Sequence, residues 1–192
     1  MADLKQYRTT PLHMRGINVA TYRVDDDAVM VEGVLKDNRL VSTFSLAKGG
    51  AMSEPGVVHD ITVRLLIRGT AMLIEDVDVE ISQVPRGECR ETIDSLKPLI
   101  GHRIAPGFTD FVKKTFGGSR GCAHQNTLLL ALASAAIQGF WVQKASGKDL
   151  NLHKEDVKRV PRFLINTCWV WREDGPFLKE LEKTLKDQAD AS

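Results

Sequence analysis

The chain has 192 residues, of which 43% are hydrophobic and 27% charged. These are the proportions of an ordinary globular domain, so they exclude disordered, collagen-like and coiled-coil proteins. Lys and Arg number 26 against 25 Asp and Glu. This balance offers no basic surface for the phosphate backbone, so we expect no nucleic-acid partner.

Membrane and secretory signals are also missing from the sequence. The first ten residues are polar, and the longest apolar stretch, residues 128–142, is shorter than the roughly 20 residues that a spanning helix needs. Three cysteines, an odd number, argue against a disulfide framework and for reduced thiols. We therefore expect a cytoplasmic protein without a membrane partner.

The first half of the chain has the alternation of β-strands. Strands are predicted over residues 19–24 and 28–35, separated by the turn-forming aspartates 25–27. Residues 57–67 alternate most clearly, and residues 72–81 continue as their hairpin partner. The Gly-rich segment 48–56 is predicted to be a surface loop, which either borders a site or simply connects two strands.

The second half has the periodicity of helices. We expect a short helix near residues 88–99, a second that starts at Pro106 and stops at Gly117, and a central buried helix over 123–144, where apolar residues lie all round.

Three further segments complete the chain. Residues 148–158 are a polar connection, the apolar stretch 163–171 is expected to pack on the core, and an exposed amphipathic helix follows Pro176. The fold class predicted is α+β, with the antiparallel sheet of the N-terminal half packed against the C-terminal helices in one domain, residues 1–192.

A glycine-rich block precedes the central helix. Gly117, Gly118 and Gly121 lead into Cys122 and His124, so backbone N–H groups at a helix N-terminus could hold an anion. The positive electrostatic potential of these N–H groups would also favour the thiolate form of Cys122, which could then act as a ligand or nucleophile. A structural glycine cap beside a buried cysteine explains the block equally well.

His59 lies on the apolar face of its predicted strand, whereas Asp60 points to the opposite face. It is therefore either a structural core histidine or a functional one. With Cys89, Cys122 and His124 it has the composition of a tetrahedral site for Zn or Fe, although no pair has a strong metal-binding spacing.

A substrate anion has its own candidate ligands. We expect the anion to be held by Arg15, Arg120, Gly118 and Gly121, with His13 beside Arg15. For Arg15 and His13 the alternative is a solvated edge of the sheet. No nucleotide-binding fingerprint is present.

The chain resembles the bacterial family known as domain of unknown function 2889 over nearly its whole length. The most specific match is the Gly-Gly-x-x-Gly-Cys-x-His block of residues 117–124. The other matching residues are His13, Arg15, Val58-His59-Asp60, Ile74-Glu75-Asp76, Cys89, Leu99-Ile100-Gly101, Gly107-Phe108 and Cys168. The family name implies no activity.

The order of elements is also similar to that of NifU/SufE-type iron–sulfur scaffold proteins. In those proteins thiolates and an acidic residue meet at one end of the sheet, a place that Cys89, Cys122 and Asp60 would take here. His59 and the position of His124 depart from that pattern.

Three functions follow from these residues. The leading one is a nucleotide-independent lyase or hydrolase that cleaves a small carboxylated or aromatic molecule by acid–base or metal-assisted chemistry, with His59, Cys122 and His124 as catalytic residues. The second is a metal or iron–sulfur carrier that uses Cys89, Cys122 and Cys168. The third is a partner-binding module with Trp169 and Trp171 exposed. A homo-oligomer is compatible with each of them.

Overall fold

The computed structural model describes residues 3–45, 49–146 and 164–190. Its strands are β1 (His13–Arg23), β2 (Ala28–Arg39), β3 (Thr43–Ser45), β4 (Ala51–Ser53), β5 (Gly56–Arg68) and β6 (Leu73–Gln83). Its α-helices are α1 (Phe108–Phe116), α2 (Ala123–Ala145) and α3 (Pro176–Asp190), and 3₁₀ segments cover Leu4–Tyr7, Gly87–Leu99 and Gly118–Arg120. The predicted α+β class is confirmed.

The main sheet is antiparallel, with the strand order β1-β2-β5-β6. Alternate residues of β2 and β5 form its buried face, because side chains one residue apart point to opposite sides of a strand. The buried residues are Val29, Val31 and Leu35 of β2 and Ile61, Val63, Leu65 and Ile67 of β5. Both β1 and β2 run farther than predicted, to His13 and to Arg39.

The segment 48–56 is not simply a loop, because β4 lies inside it and pairs with β3. The turn is closed by the Gly50 amide, which donates to the Ser45 carbonyl at 2.9 Å. Gly50 has φ 93, a left-handed conformation that glycine adopts without steric cost. Residues 46–48, including Lys48 of the predicted loop, lie outside the described ranges.

Helix α2 crosses the main sheet and packs on β1, β2 and β5. One stripe of the helix is fully buried, at Leu128, Leu129, Leu132, Ala136 and Phe140. The predicted burial on all sides is wrong at the end of the helix, where Val142 is 60% exposed. The sheet covers only one face of α2, so the apolar residues behind that face are covered less completely.

The other predicted helices lie close to their expected positions. The segment near residues 88–99 is helical but of the tighter 3₁₀ type, and α1 begins two residues after Pro106 and ends before Gly117. Helix α3 begins at Pro176, where the C-terminal helix was expected, and buries Leu178.

The expectation that residues 163–171 pack on the core is wrong for most of the described part. Leu164 is buried, but Cys168, Trp169 and Val170 are exposed. The segment turns back on itself, with the Asn166 amide donating to the Trp171 carbonyl, so most of its side chains face outward. Phe163 and the predicted connection 148–158 lie outside the described residues.

No helix within the described ranges is long and apolar enough to cross a membrane.

Candidate active site

A row of three polar side chains crosses three neighbouring strands near one end of the sheet. Arg15 of β1 lies opposite Asp37 of β2, and Asp37 lies opposite His59 of β5. All three continue the alternation of the buried strand faces, so they point toward the helical layer. Directly opposed residues have Cβ atoms about 5 Å apart, which brings the three functional groups within hydrogen-bonding reach.

Asp37 is the centre of this row and is only 2% exposed. The Arg15 guanidinium donates from Nε to Oδ1 and from Nη2 to Oδ2, both at 2.7 Å. A buried carboxylate needs such a partner, because desolvation otherwise favours its neutral form. Hydrogen bonding and charge from Arg15 outweigh the burial and lower the pKa of Asp37 to about 2, so the carboxylate is ionised at neutral pH.

Three imidazoles surround the same carboxylate. His59 Nδ1 lies 3.1 Å from Oδ2, His124 Nε2 lies 3.3 Å from Oδ2, and His13 Nε2 lies 3.3 Å from Oδ1. The His59 and His124 rings lie against each other in a tilted arrangement, with centroids 3.8 Å apart and planes inclined by 31°. Their side chains are 16% and 21% exposed, whereas that of His13 is 50% exposed.

The first turn of α2 brings His124 to the sheet, and two neighbouring side chains fix this turn. Buried Gln125 donates to the Thr92 carbonyl and Oγ1 and accepts from Ser95 Oγ, so it holds the turn to the 3₁₀ segment after β6. Asn126 donates to the Phe116 carbonyl at 2.8 Å and holds the turn to the end of α1.

Cys122 is the N-cap residue of α2, but its side chain does not cap the helix. Its Sγ lies 3.7 Å from His124 Nδ1, a distance suited to a hydrogen bond with sulfur. The opposite ring nitrogen of His124 faces Asp37. Cys122, His124 and Asp37 therefore form a continuous chain of contacts from a thiol through an imidazole to a buried carboxylate.

The protonation of both site histidines follows from these contacts. Burial, as the largest effect, lowers the pKa of His59 and also that of His124, where the neighbouring His59 and Arg15 lower it further. Both rings are thus neutral at pH 7. An ionised carboxylate only accepts hydrogen bonds, so the nitrogen that faces Asp37 carries the proton in each ring.

This assignment leaves one unprotonated nitrogen on each ring. In His59 it is Nε2, and in His124 it is Nδ1, the nitrogen that faces the Cys122 thiol. A neutral imidazole nitrogen of this kind can accept a proton during a reaction. The cluster therefore offers two bases that are held in place by one buried anion.

Residues 13–138 match the family model described as a protein of unknown function, DUF2889. The chain belongs to this DUF2889 family. The matched range contains the complete cluster around Asp37 and ends before Cys168 and α3. No curated protein and no solved structure matches the chain. The similarity to NifU/SufE scaffold proteins is therefore not shown.

The structure brings together four of the eight site residues that the sequence suggests. His59, Cys122, His124 and Arg15 converge within one cluster, with His13 at its exposed side. The predicted opposite orientation of Asp60 is confirmed, since its carboxylate binds Lys36 Nζ at 2.8 Å. Two bonds of Arg15 go to Asp37, so its direct role here is to hold that carboxylate.

Asp37 itself is the residue that sequence reasoning missed. The predicted second strand stops at Leu35, although the alternation Val29, Val31, Leu35 places residue 37 on the same buried face. An acidic residue that continues a buried strand face needs a cationic partner. That signal alone would have singled it out.

Other predicted site residues have different surroundings. Arg120 makes no side-chain ion pair within the described ranges. Gly117 and Gly121 are required sterically, because a Cβ would lie 2.2 Å from the Lys113 carbonyl oxygen and 2.8 Å from the Phe116 carbonyl oxygen. The glycine block thus joins α1 tightly to α2, and only Gly118, with φ +64, has open space around it.

The group of possible metal ligands in the structure differs from the predicted one. Among the described residues, Asp37, His59 and His124 offer ligand atoms that all lie within 4.8 Å of one another. Neither Cys89 nor Cys122 belongs to that group. Cys168 lines a cavity against Ser134 and Gln138, in the middle of α2, and at 1.5 Å per residue Ser134 is about 18 Å from Cys122. The three thiols therefore do not meet.

Proposed function

We propose that this protein is an enzyme, a lyase or hydrolase, that cleaves a small carboxylated or aromatic molecule by acid–base chemistry at His59 and His124. The observation that carries the proposal is that both neutral imidazoles direct a ring nitrogen at the same ionised carboxylate. A catalytic base needs a fixed tautomer and orientation, and a carboxylate shared by the two rings supplies both.

The charge around the cluster supports an anionic substrate. Arg15 and His13 lie at its more exposed side, with side chains 38% and 50% exposed. Arg15 Nη1 makes no hydrogen bond within the described residues, so the guanidinium retains a donor for a substrate carboxylate.

The test is a screen of small aromatic and aliphatic carboxylates by thermal shift, followed by mass spectrometry for turnover of each hit. A ligand at a hundred times its dissociation constant stabilises the folded state by about 2.7 kcal/mol. We expect His59→Gln to lose turnover and His102→Gln to retain it.

His102 is a suitable control because it lies at the far end of the sheet. It stacks on Phe111, and its carbonyl accepts from the Ile74 amide. Ile74 pairs with Ile67, which is about 26 Å along β5 from His59. Equal turnover by wild type and His59→Gln, or no product from any carboxylate that binds, would contradict the proposal.

A second candidate, metal-assisted chemistry or metal carriage, is favoured by the Asp37–His59–His124 group. Two imidazoles and one carboxylate are the ligand set of non-haem Fe(II) sites, and Zn also accepts these donors. Distances of 3.1 and 3.3 Å from Oδ2 to the two nitrogens are close to the spacing of neighbouring ligands about 2.1 Å from a common ion.

Metal analysis of the purified protein and of Asp37→Asn separates the two candidates. Stoichiometric Zn or Fe that is lost in Asp37→Asn but retained in Cys89→Ser would support the metal site. Full acid–base turnover in chelator-treated protein would reject a metal requirement.

A further inference from the structure

We infer that Cys122 is a nucleophile and that the substrate is an acyl compound, namely an ester, thioester or amide of a small carboxylic acid. This inference rests on the proposed function and names its reaction. It depends on the three-residue chain in which Cys122 Sγ lies 3.7 Å from His124 Nδ1, and His124 Nε2 lies 3.3 Å from Asp37.

The chain has the parts that thiol activation requires. Nucleophilic catalysis by a thiol needs a base within hydrogen-bonding reach and a third group that orients this base. Here Asp37 fixes the proton of His124 on Nε2, so Nδ1 is the acceptor that faces the thiol. Because Arg15 holds Asp37 by two hydrogen bonds, the orienting group is itself fixed.

Backbone groups beside the thiol complete the arrangement. The hydrogen bond from the Asn126 amide to the Cys122 carbonyl is the first of α2, so the amides of Ala123 and His124 precede the intrahelical ladder. Such amides at a helix N-terminus stabilise the oxyanion of a tetrahedral intermediate. Cys122 lies directly before them in the chain.

The reaction then balances with water as the only co-reactant. The thiol proton passes to His124 Nδ1 while sulfur attacks the acyl carbon, and the bond to the leaving group breaks as that group takes the proton. Water next loses a proton to His124 and attacks the thioester, which releases the carboxylic acid and restores the thiol. The net change is hydrolysis of one acyl bond.

The other two cysteines supply internal controls. Cys89 lies in the first turn of the 3₁₀ segment and Cys168 is exposed on a turn, and neither thiol forms a hydrogen bond with an imidazole within the described residues. If exposure alone set thiol reactivity, Cys168 would react first. If the His124 contact sets it, partly buried Cys122 reacts first.

The experiment measures alkylation of the full-length protein by iodoacetamide at neutral pH, with peptide mass spectrometry of each cysteine. We expect Cys122 to react faster than Cys168, and His124→Gln to slow Cys122 by about tenfold or more while Cys89 and Cys168 keep their rates. His124→Asn is the second variant, and urea unfolding verifies that each protein is folded. Equal or slower reaction of Cys122, or no effect of either substitution, would overturn the inference.

Acyl transfer is tested separately with p-nitrophenyl acetate. Peptide mass spectrometry of acid-quenched reactions should detect acetylated Cys122 in the wild type and in Cys89→Ser, and none at this position in Cys122→Ser. No acetylation at Cys122, together with p-nitrophenol release that is no faster in the wild type than in Cys122→Ser, would contradict the nucleophile. A carboxylate from the thermal-shift screen could be turned over by Cys122→Ser but not by His59→Gln. That result would reject this inference and leave the proposed function standing.

Discussion

Arg15 and Asp37 lie directly opposite each other on neighbouring strands, and the guanidinium donates to both carboxylate oxygens at 2.7 Å. This pair allows a charged group to be buried at the end of the sheet. The buried carboxylate in turn orients His59 and His124. A lysine at residue 15 would keep the charge but could not reproduce the planar, two-bond contact.

Arg15→Lys should therefore lower the free energy of unfolding by roughly 1–3 kcal/mol, since Asp37 would lose a hydrogen-bonded partner. Urea unfolding measures the change. Arg8→Lys is the matched control, because Arg8 is exposed and lies outside the site. A loss no larger than that of Arg8→Lys would contradict the role of Arg15.

The Asp37 pKa predicts a loss of stability in acid. Its folded-state pKa is about 2 against an ordinary value of 3.8, so the unfolded chain takes up the proton first as the pH falls. The resulting stabilisation, roughly 2 kcal/mol, is present above about pH 4 and disappears toward pH 2. Unfolding curves at successive pH values should show this loss in the wild type and a flatter profile in Asp37→Asn; parallel profiles would contradict it.

The two site histidines, His59 and His124, affect the free energy of unfolding at higher pH than Asp37 does. The folded-state pKa of each is lowered, so the unfolded chain binds protons more readily once the pH falls below about 6.5. The free energy of unfolding should decrease between pH 7 and 5, and the double substitution His59→Gln and His124→Gln should reduce that decrease. His102→Gln should leave it unchanged, and an identical slope in all three proteins would argue against buried neutral imidazoles.

Close packing between α2 and β1 can be tested independently of the chemistry. A Cβ on Gly139 would lie 2.3 Å from Thr21 Cγ2, so Gly139→Ala should destabilise the fold by about 1–3 kcal/mol despite the better helix propensity of alanine. Combining it with Thr21→Ala should recover part of this loss. Additive effects in the double-mutant cycle would show that the two residues do not meet.

Much of the fold could be predicted because its elements follow simple periods. The alternation of β5 runs from His59 to Ile67, and the strand that was expected to pair with it is β6. A register shift near Ile67 leaves Glu75 as an extra residue in β6, where the apolar pattern changes from Ile74 to Val77. Such a change of phase is the sequence signal of a β-bulge.

The site was harder to predict because its central residue is recognisable only from long-range pairing. His59, Cys122 and His124 belong to residue types that are often functional, so the sequence singles them out. Asp37 gains its role from lying between Arg15 and His59 in the sheet, and that position depends on the register of two strand pairs. The predicted second strand ends four residues before β2 does, so the prediction leaves Asp37 outside the sheet.

The tautomers of the site histidines test the central claim most directly, because the claim is that Asp37 fixes one proton on each ring. Nitrogen-15 NMR of the imidazoles at neutral pH should find His59 protonated on Nδ1 and His124 protonated on Nε2, so the two neighbouring rings should have opposite tautomers. Protonation of His124 on Nδ1, or of His59 on Nε2, would place the proton on the nitrogen that does not face Asp37 and would contradict the account.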